Sequence, residues 1–98
     1  MHIVLLKFGP NRSQAAQWMV EHKEWIEKGI SDGVFLLAGS LESAQGGALL
    51  TIKLNKAEVA ARVKEDPFVK YRVVEPEIIS IAPSLVAEGL AELMGRAA

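Results

Sequence analysis

The first eight residues constrain this chain more than any other part of it. In an extended segment over residues 2–8, Ile3 and Leu5 fall on one side and Val4, Leu6 and Phe8 on the other, because successive side chains of a strand point to opposite faces. Gly9-Pro10 then closes the segment as a turn. A strand that is apolar on both faces has to be covered on both. The whole chain has 98 residues, half of them apolar, which suits a single domain over residues 1–98 with a core of limited size.

The rest of the pattern shows what is available as cover. Residues 13–28 repeat with helical spacing, with Ser13 as N-cap and Gly29 placed to end the helix in a left-handed conformation. Two apolar stripes run along it, Ala15, Met19, His22 and Ile26 on one and Trp18, His22, Trp25 and Gly29 on the other, so His22 belongs to both. An apolar run over 34–39, a loop over 40–47 and an alternating segment over 48–54 read as an antiparallel hairpin. Asn55, with Glu58 three residues on, is a capping box for a second helix whose apolar face is Val59, Ala60 and Val63. Pro67 ends that helix near Glu65, which leaves Asp66 at its exit. Residues 72–81 read as a last strand, and Pro76 in its middle confines it to a sheet edge. Beyond Pro83, Leu85, Val86, Leu90, Leu93 and Met94 outline a tail helix over about 84–95.

The order β-α-β-β-α-β is that of an α+β, ferredoxin-like fold, a four-stranded antiparallel sheet with both helices on one face. Such a sheet leaves its second face open. Since the first strand is apolar there too, the expected cover is a second copy of the chain, giving a homodimer joined through its sheet faces.

Composition removes several classes of function. A net charge of −1 without a Lys/Arg cluster argues against a nucleic-acid partner. The absence of cysteine removes disulfides, thiolate nucleophiles and Cys-type zinc sites, and fits a reducing compartment. No apolar stretch approaches the roughly 20 residues that span a membrane. The opening segment also lacks the basic start and apolar length of a signal peptide. A cytoplasmic protein without a membrane partner is the expectation.

Chemistry centres on His22. Imidazole can give or take a proton near neutrality when a partner fixes its tautomer, and Asp66 is a candidate for that partner. A lone histidine in an apolar stripe is in general more often a satisfied core residue, and an Asp at a helix exit is often simply solvated. Spacing does not show that the two meet. A metal site is not visible, because no second His lies four residues from His22 and His2 is at the far end of the chain. Trp18, Trp25 and Phe68 can wall a pocket for a planar ligand, although aromatics at helical spacing are more often core. Gly46-Gly47 reads as a hairpin entry needing positive φ, since no phosphate-binding glycine pattern surrounds it. Glu21, Lys23, Glu24, Glu27 and Lys28 read as the solvated helix face, with Glu24-Lys28 and Lys23-Glu27 as i,i+4 pairs.

Taken in order, the helical His22 with its aromatic-apolar continuation to Ile26, Gly33 before a strand, Leu37-Ala38-Gly39, Gly46-Gly47 and Asp66-Pro67-Phe68 resemble the YCII-related family over the chain up to about Ile81. The resemblance implies a dimeric α+β barrel whose pocket is lined by a His and an Asp, matched here by His22 and Asp66. It also implies the reaction types of that superfamily, which include dehydrochlorinases acting on chlorinated hydroxyquinols and, among related barrels, muconolactone isomerases. Two departures stand out. Gly39-Ser40 replaces the family's Gly-Pro, altering the pocket rim and adding a hydroxyl that can bind a substrate oxygen, and residues 84–98 extend beyond the family's usual end.

The expected function is proton transfer by the His22–Asp66 pair on a small oxygenated, cyclic or aromatic substrate, as a lyase or isomerase without cofactor or bound metal. Ser40, Phe68, Trp18 and Gly39 are the expected substrate contacts. Two alternatives stay open: a non-catalytic dimeric module that binds a small metabolite or serves another protein, and an accessory protein in which His22 is purely structural.

Overall fold

In the computed structural model, which describes residues 1–95, strand β1 (His2–Phe8) lies inside the sheet with its expected span. The other strands are β2 (Phe35–Ser40), β3 (Gly46–Thr51) and β4 (Val74–Ser80), and the sheet order is β2-β3-β1-β4 with every neighbour antiparallel. The helices are α1 (Ala15–Ser31), α2 (Lys56–Val63), α3 (Pro67–Lys70) and α4 (Glu88–Leu93). This is the ferredoxin-like α+β arrangement. Residues 96–98, the end of the expected domain and of its tail, lie outside the described residues.

The two faces of β1 meet different surroundings. Val4 and Leu6 are buried with Leu49, Phe35 and Val74 of the sheet against Trp25, Val59, Val63 and Phe68 of the helices. Each fully buried aliphatic side chain in such a core contributes about 1.5–3 kcal/mol. On the opposite face, Ile3 pairs with Leu50 and Ile79, and Leu50 pairs with Leu37, so the four form one transverse row. None of the four is buried, and Leu37 is 53% exposed. Pro76 sits on edge strand β4, where its missing N–H is tolerated.

Several boundaries differ from the sequence expectation for identifiable reasons. Ser13 falls within a 3-10 turn, Arg12–Gln14, so α1 starts at Ala15 without a side-chain cap. That turn is held instead by Asn11, whose side chain donates to the Tyr71 carbonyl at 2.9 Å and whose N–H donates to the Arg72 carbonyl at 3.0 Å. Gly29 does not end the helix. It is buried within α1 because a Cβ there would stand 2.1 Å from the Phe35 ring. The left-handed position is Gly33, at φ +76°, with Gly33 N–H bonded to Ile30 O and Val34 N–H to Gly29 O in the paired pattern of a Schellman end.

The hairpin is present, but β3 starts at Gly46 and stops at Thr51, and Lys53 takes φ +66° as the chain leaves the sheet. The Asn55–Glu58 capping box forms in both directions. In the tail, α4 covers only Glu88–Leu93, and Leu85 is 96% exposed. Pro83 restricts the residue before it and Gly89 weakens the helix that follows, so the helical stretch is shorter than the apolar spacing suggests. Of the expected i,i+4 pairs on α1, neither Glu24-Lys28 nor Lys23-Glu27 closes to an ion pair. No helix of the described residues is long and apolar enough to cross a membrane.

Candidate active site

Asp66 is positioned by the sequence Asp66-Pro67-Phe68. Pro67 cannot follow a helical residue comfortably, so Asp66 is extended at φ −66°, ψ 122°, and becomes the N-cap of α3 with Pro67 in the first turn. The Oδ1 atom of Asp66 accepts from the Phe68 N–H at 3.0 Å. An Asp before a Pro is a helix-start signal, and reading it only as the exit of α2 overlooked α3.

The same Oδ1 lies 2.7 Å from Nδ1 of His22. A carboxylate can only accept, so Nδ1 carries the proton and Nε2 presents its lone pair. Asp66 is fully buried, and the His22 side chain keeps 12% of its surface exposed. The imidazole stacks on Phe68 with ring centroids 3.9 Å apart and planes 4° from parallel. Trp25 fixes α1 from the other flank by donating to the Arg62 carbonyl at 3.1 Å, and Arg62 pairs with Asp32 at 3.0 Å. The ring of His22 therefore has a fixed position, tautomer and plane. Nε2 has no hydrogen-bond partner among the described residues, whereas the second oxygen of Asp66, Oδ2, is buried without one.

His22 opens on a cavity of about 350 Å³ between α1 and the sheet. Ala15, Met19, Lys23 and Ile26 flank it on the helix side, and Leu6, Phe8, Ala38 and Leu49 line the sheet side. The β2–β3–β1 register sets Ser40, Gly47 and Leu6 in one row on the helix-bearing face, so the Ser40 side chain lies on the cavity side of the sheet. Gly46 has φ +130°, and a Cβ there would lie 2.0 Å from the Leu6 carbonyl oxygen, so only glycine lets β3 run this close to β1.

Of the sequence candidates, His22, Asp66 and Phe68 come together, and Ser40 and Gly39 join His22 and Phe68 around the cavity. Trp18 does not join them. Counting about 100° per residue around α1, Trp18 and Trp25 lie on the flank of His22 opposite Lys23. There Trp18 stacks on Tyr71, 3.9 Å between centroids and 9° from parallel, with its Nε1 buried and unpartnered. Lys23 and Met19 line the cavity although neither was singled out from the sequence for binding. Their one signal was spacing, since Met19 belongs to the stripe that holds His22 and Lys23 lies beside it. Among the described residues no group of three or more His, Asp or Glu side chains is placed to hold a metal ion.

No family model matches the chain, and no curated protein matches it in sequence. Among solved structures it is similar to the 5-chloro-2-hydroxyhydroquinone dehydrochlorinase of Burkholderia phenoliruptrix AC1100 in complex with 2,5-dihydroxybenzoquinone, at a TM-score of 0.68 and 14% identity over 86% of this chain and 96% of that one. At that identity the likeness is one of fold.

Proposed function

We propose that this chain is a small-molecule enzyme of the YCII-related kind, in which the His22–Asp66 pair moves a proton on a small oxygenated, cyclic substrate. One observation carries the reading: Asp66 Oδ1 holds Nδ1–H of His22 at 2.7 Å, while the opposite nitrogen is left uncommitted on a ligand-sized cavity. The fold shared with a dehydrochlorinase supports it, and so does the order of motifs in the sequence.

In the proposed step, Nε2 takes a proton from a carbon or oxygen of the substrate. The imidazolium that results is stabilised by the buried carboxylate already bonded to it. Returning the proton to another carbon gives isomerisation. If chloride instead departs with its bonding electrons, the outcome is elimination of HCl, with the proton passing from Nε2 to water. Ser40, across the cavity, donates to a substrate oxygen, and Phe68 holds the imidazole plane.

The test is chloride release from 5-chloro-2-hydroxyhydroquinone. Release by the parent protein that falls about 10²–10⁴-fold in His22→Gln is the expected result, the usual span for loss of a general base. Equal rates in the two proteins sink the reading. Binding of 2,5-dihydroxybenzoquinone without chloride release would assign the cavity to a metabolite-binding module instead.

The assembly proposed with it is a homodimer that pairs the open sheet faces and covers the row of Ile3, Leu37, Leu50 and Ile79. Sedimentation at micromolar concentration should give twice the chain mass. A monomer there removes the dimer without touching the His22 chemistry.

A further inference from the structure

We infer that the ligand of the His22 cavity is an anion, a small apolar body carrying one negatively charged oxygen group, and that Lys23 is the residue that selects it. The inference rests on the reading of this cavity as the ligand site. Among the described residues only three polar side chains line it, His22, Lys23 and Ser40, and no carboxylate does. Lys23 has no ion-pair or hydrogen-bond partner among the described residues, although Glu27 stands one turn away on the same helix. Lys23 is exposed at the edge of the cavity, where its ammonium is an uncommitted positive charge beside mostly apolar walls.

An anion entering such a cavity loses water and is stable there only if a charged donor replaces it. A neutral ligand needs no such donor and gains little from one. On the sheet wall opposite α1, Ala38 and Gly47 hold inward positions, small residues that leave room for the apolar body, and the Ser40 hydroxyl supplies a second donor for the oxygen. The charge, the donors and the apolar walls therefore agree on one class of ligand, an aromatic or alicyclic carboxylate or phenolate.

The test compares benzoate with benzamide, nearly the same shape but neutral, by following the His22 ring signals in NMR titrations. The parent protein should bind benzoate roughly tenfold tighter than benzamide, the size of effect given by one charge-assisted contact. Lys23→Met should bring the two affinities within roughly twofold while leaving benzamide unchanged. Equal affinities in the parent, no benzoate binding at all, or a preference that survives Lys23→Met would each overturn the inference. His22→Gln, followed through the Phe68 signals, should keep the preference. If that variant loses it, the imidazole and not Lys23 recognises the charge, and the inference falls while the proton-transfer reading stands. Chloride release by His22→Gln at the parent's rate has the opposite consequence, since it removes the proton-transfer reading and leaves the charge preference intact.

Discussion

The chain has two histidines, and they are set in contrasting ways. His2, at the start of β1, is 8% exposed and has both ring nitrogens engaged, Nδ1 with the Ser80 hydroxyl at 2.9 Å and Nε2 with the Leu54 carbonyl at 3.0 Å. The carbonyl can only accept, so Nε2 carries the proton and Nδ1 accepts from Ser80. His22 has one nitrogen bonded to Asp66 and the other facing a cavity. A histidine bonded at both nitrogens is closed to chemistry and works as a cross-strand tie. When only one nitrogen is held, the ring is oriented and still reactive.

The largest expected effect tests the reactive member. His22→Gln should lower turnover about 10²–10⁴-fold. His2→Leu should leave it within about twofold of the parent, because distant sites that share no partner act independently. Comparable losses in both would erase the contrast. Next comes Asp66→Ala, which removes the α3 cap and the charged acceptor of His22 together. It should destabilise the fold by about 2–3 kcal/mol in urea denaturation and lower turnover by less than His22→Gln does, since the imidazole itself remains.

His2→Leu should then cost about 1–2 kcal/mol in the same denaturation experiment, since it leaves the Leu54 carbonyl and the Ser80 hydroxyl without their partner. A neutral result would show that His2 ties nothing. Ser80→Ala should be the mildest, about 0.5 kcal/mol, because the exposed hydroxyl it removes is readily replaced by water and the Leu54 bond remains. An effect as large as that of His2→Leu would mean that Ser80, and not Leu54, anchors the ring.

The sequence was most informative where local chemistry and periodicity agree. The double apolar face of β1, the Asn55–Glu58 box and the edge placement of Pro76 all reappear in the fold, because each depends on residues close together in the chain. Gly29 and Gly33 could not be told apart as helix ends by composition. What separates them is Phe35, which needs the space at Gly29 and is contributed by a different element.

The same limit applies at the site. The stripe position of His22 and the Pro-fixed turn at Asp66 were legible as candidates, but their contact spans 44 positions and depends on how α1 packs against α3. Trp18 shared the spacing of His22 and yet faces Tyr71, since its offset of about 40° around the helix, away from Met19 and Lys23, is enough to leave the cavity wall. His2 looked remote because it is near the start of the chain. Antiparallel pairing of β1 with β4 brings it directly opposite Ser80, 78 positions away.

One consequence follows from the two bonds at Asp66 Oδ1. The Phe68 N–H and the His22 imidazole share one acceptor atom, so the amide of Phe68 is a built-in reporter on the state of the pair. Any event that pulls the carboxylate away, such as protonation, ligand-driven rotation of the imidazole or fraying of α3, must also weaken that amide's hydrogen bond. Its exchange with heavy water can therefore be followed at a single backbone position as a gauge of how often the His22–Asp66 geometry is intact, without a substrate in hand.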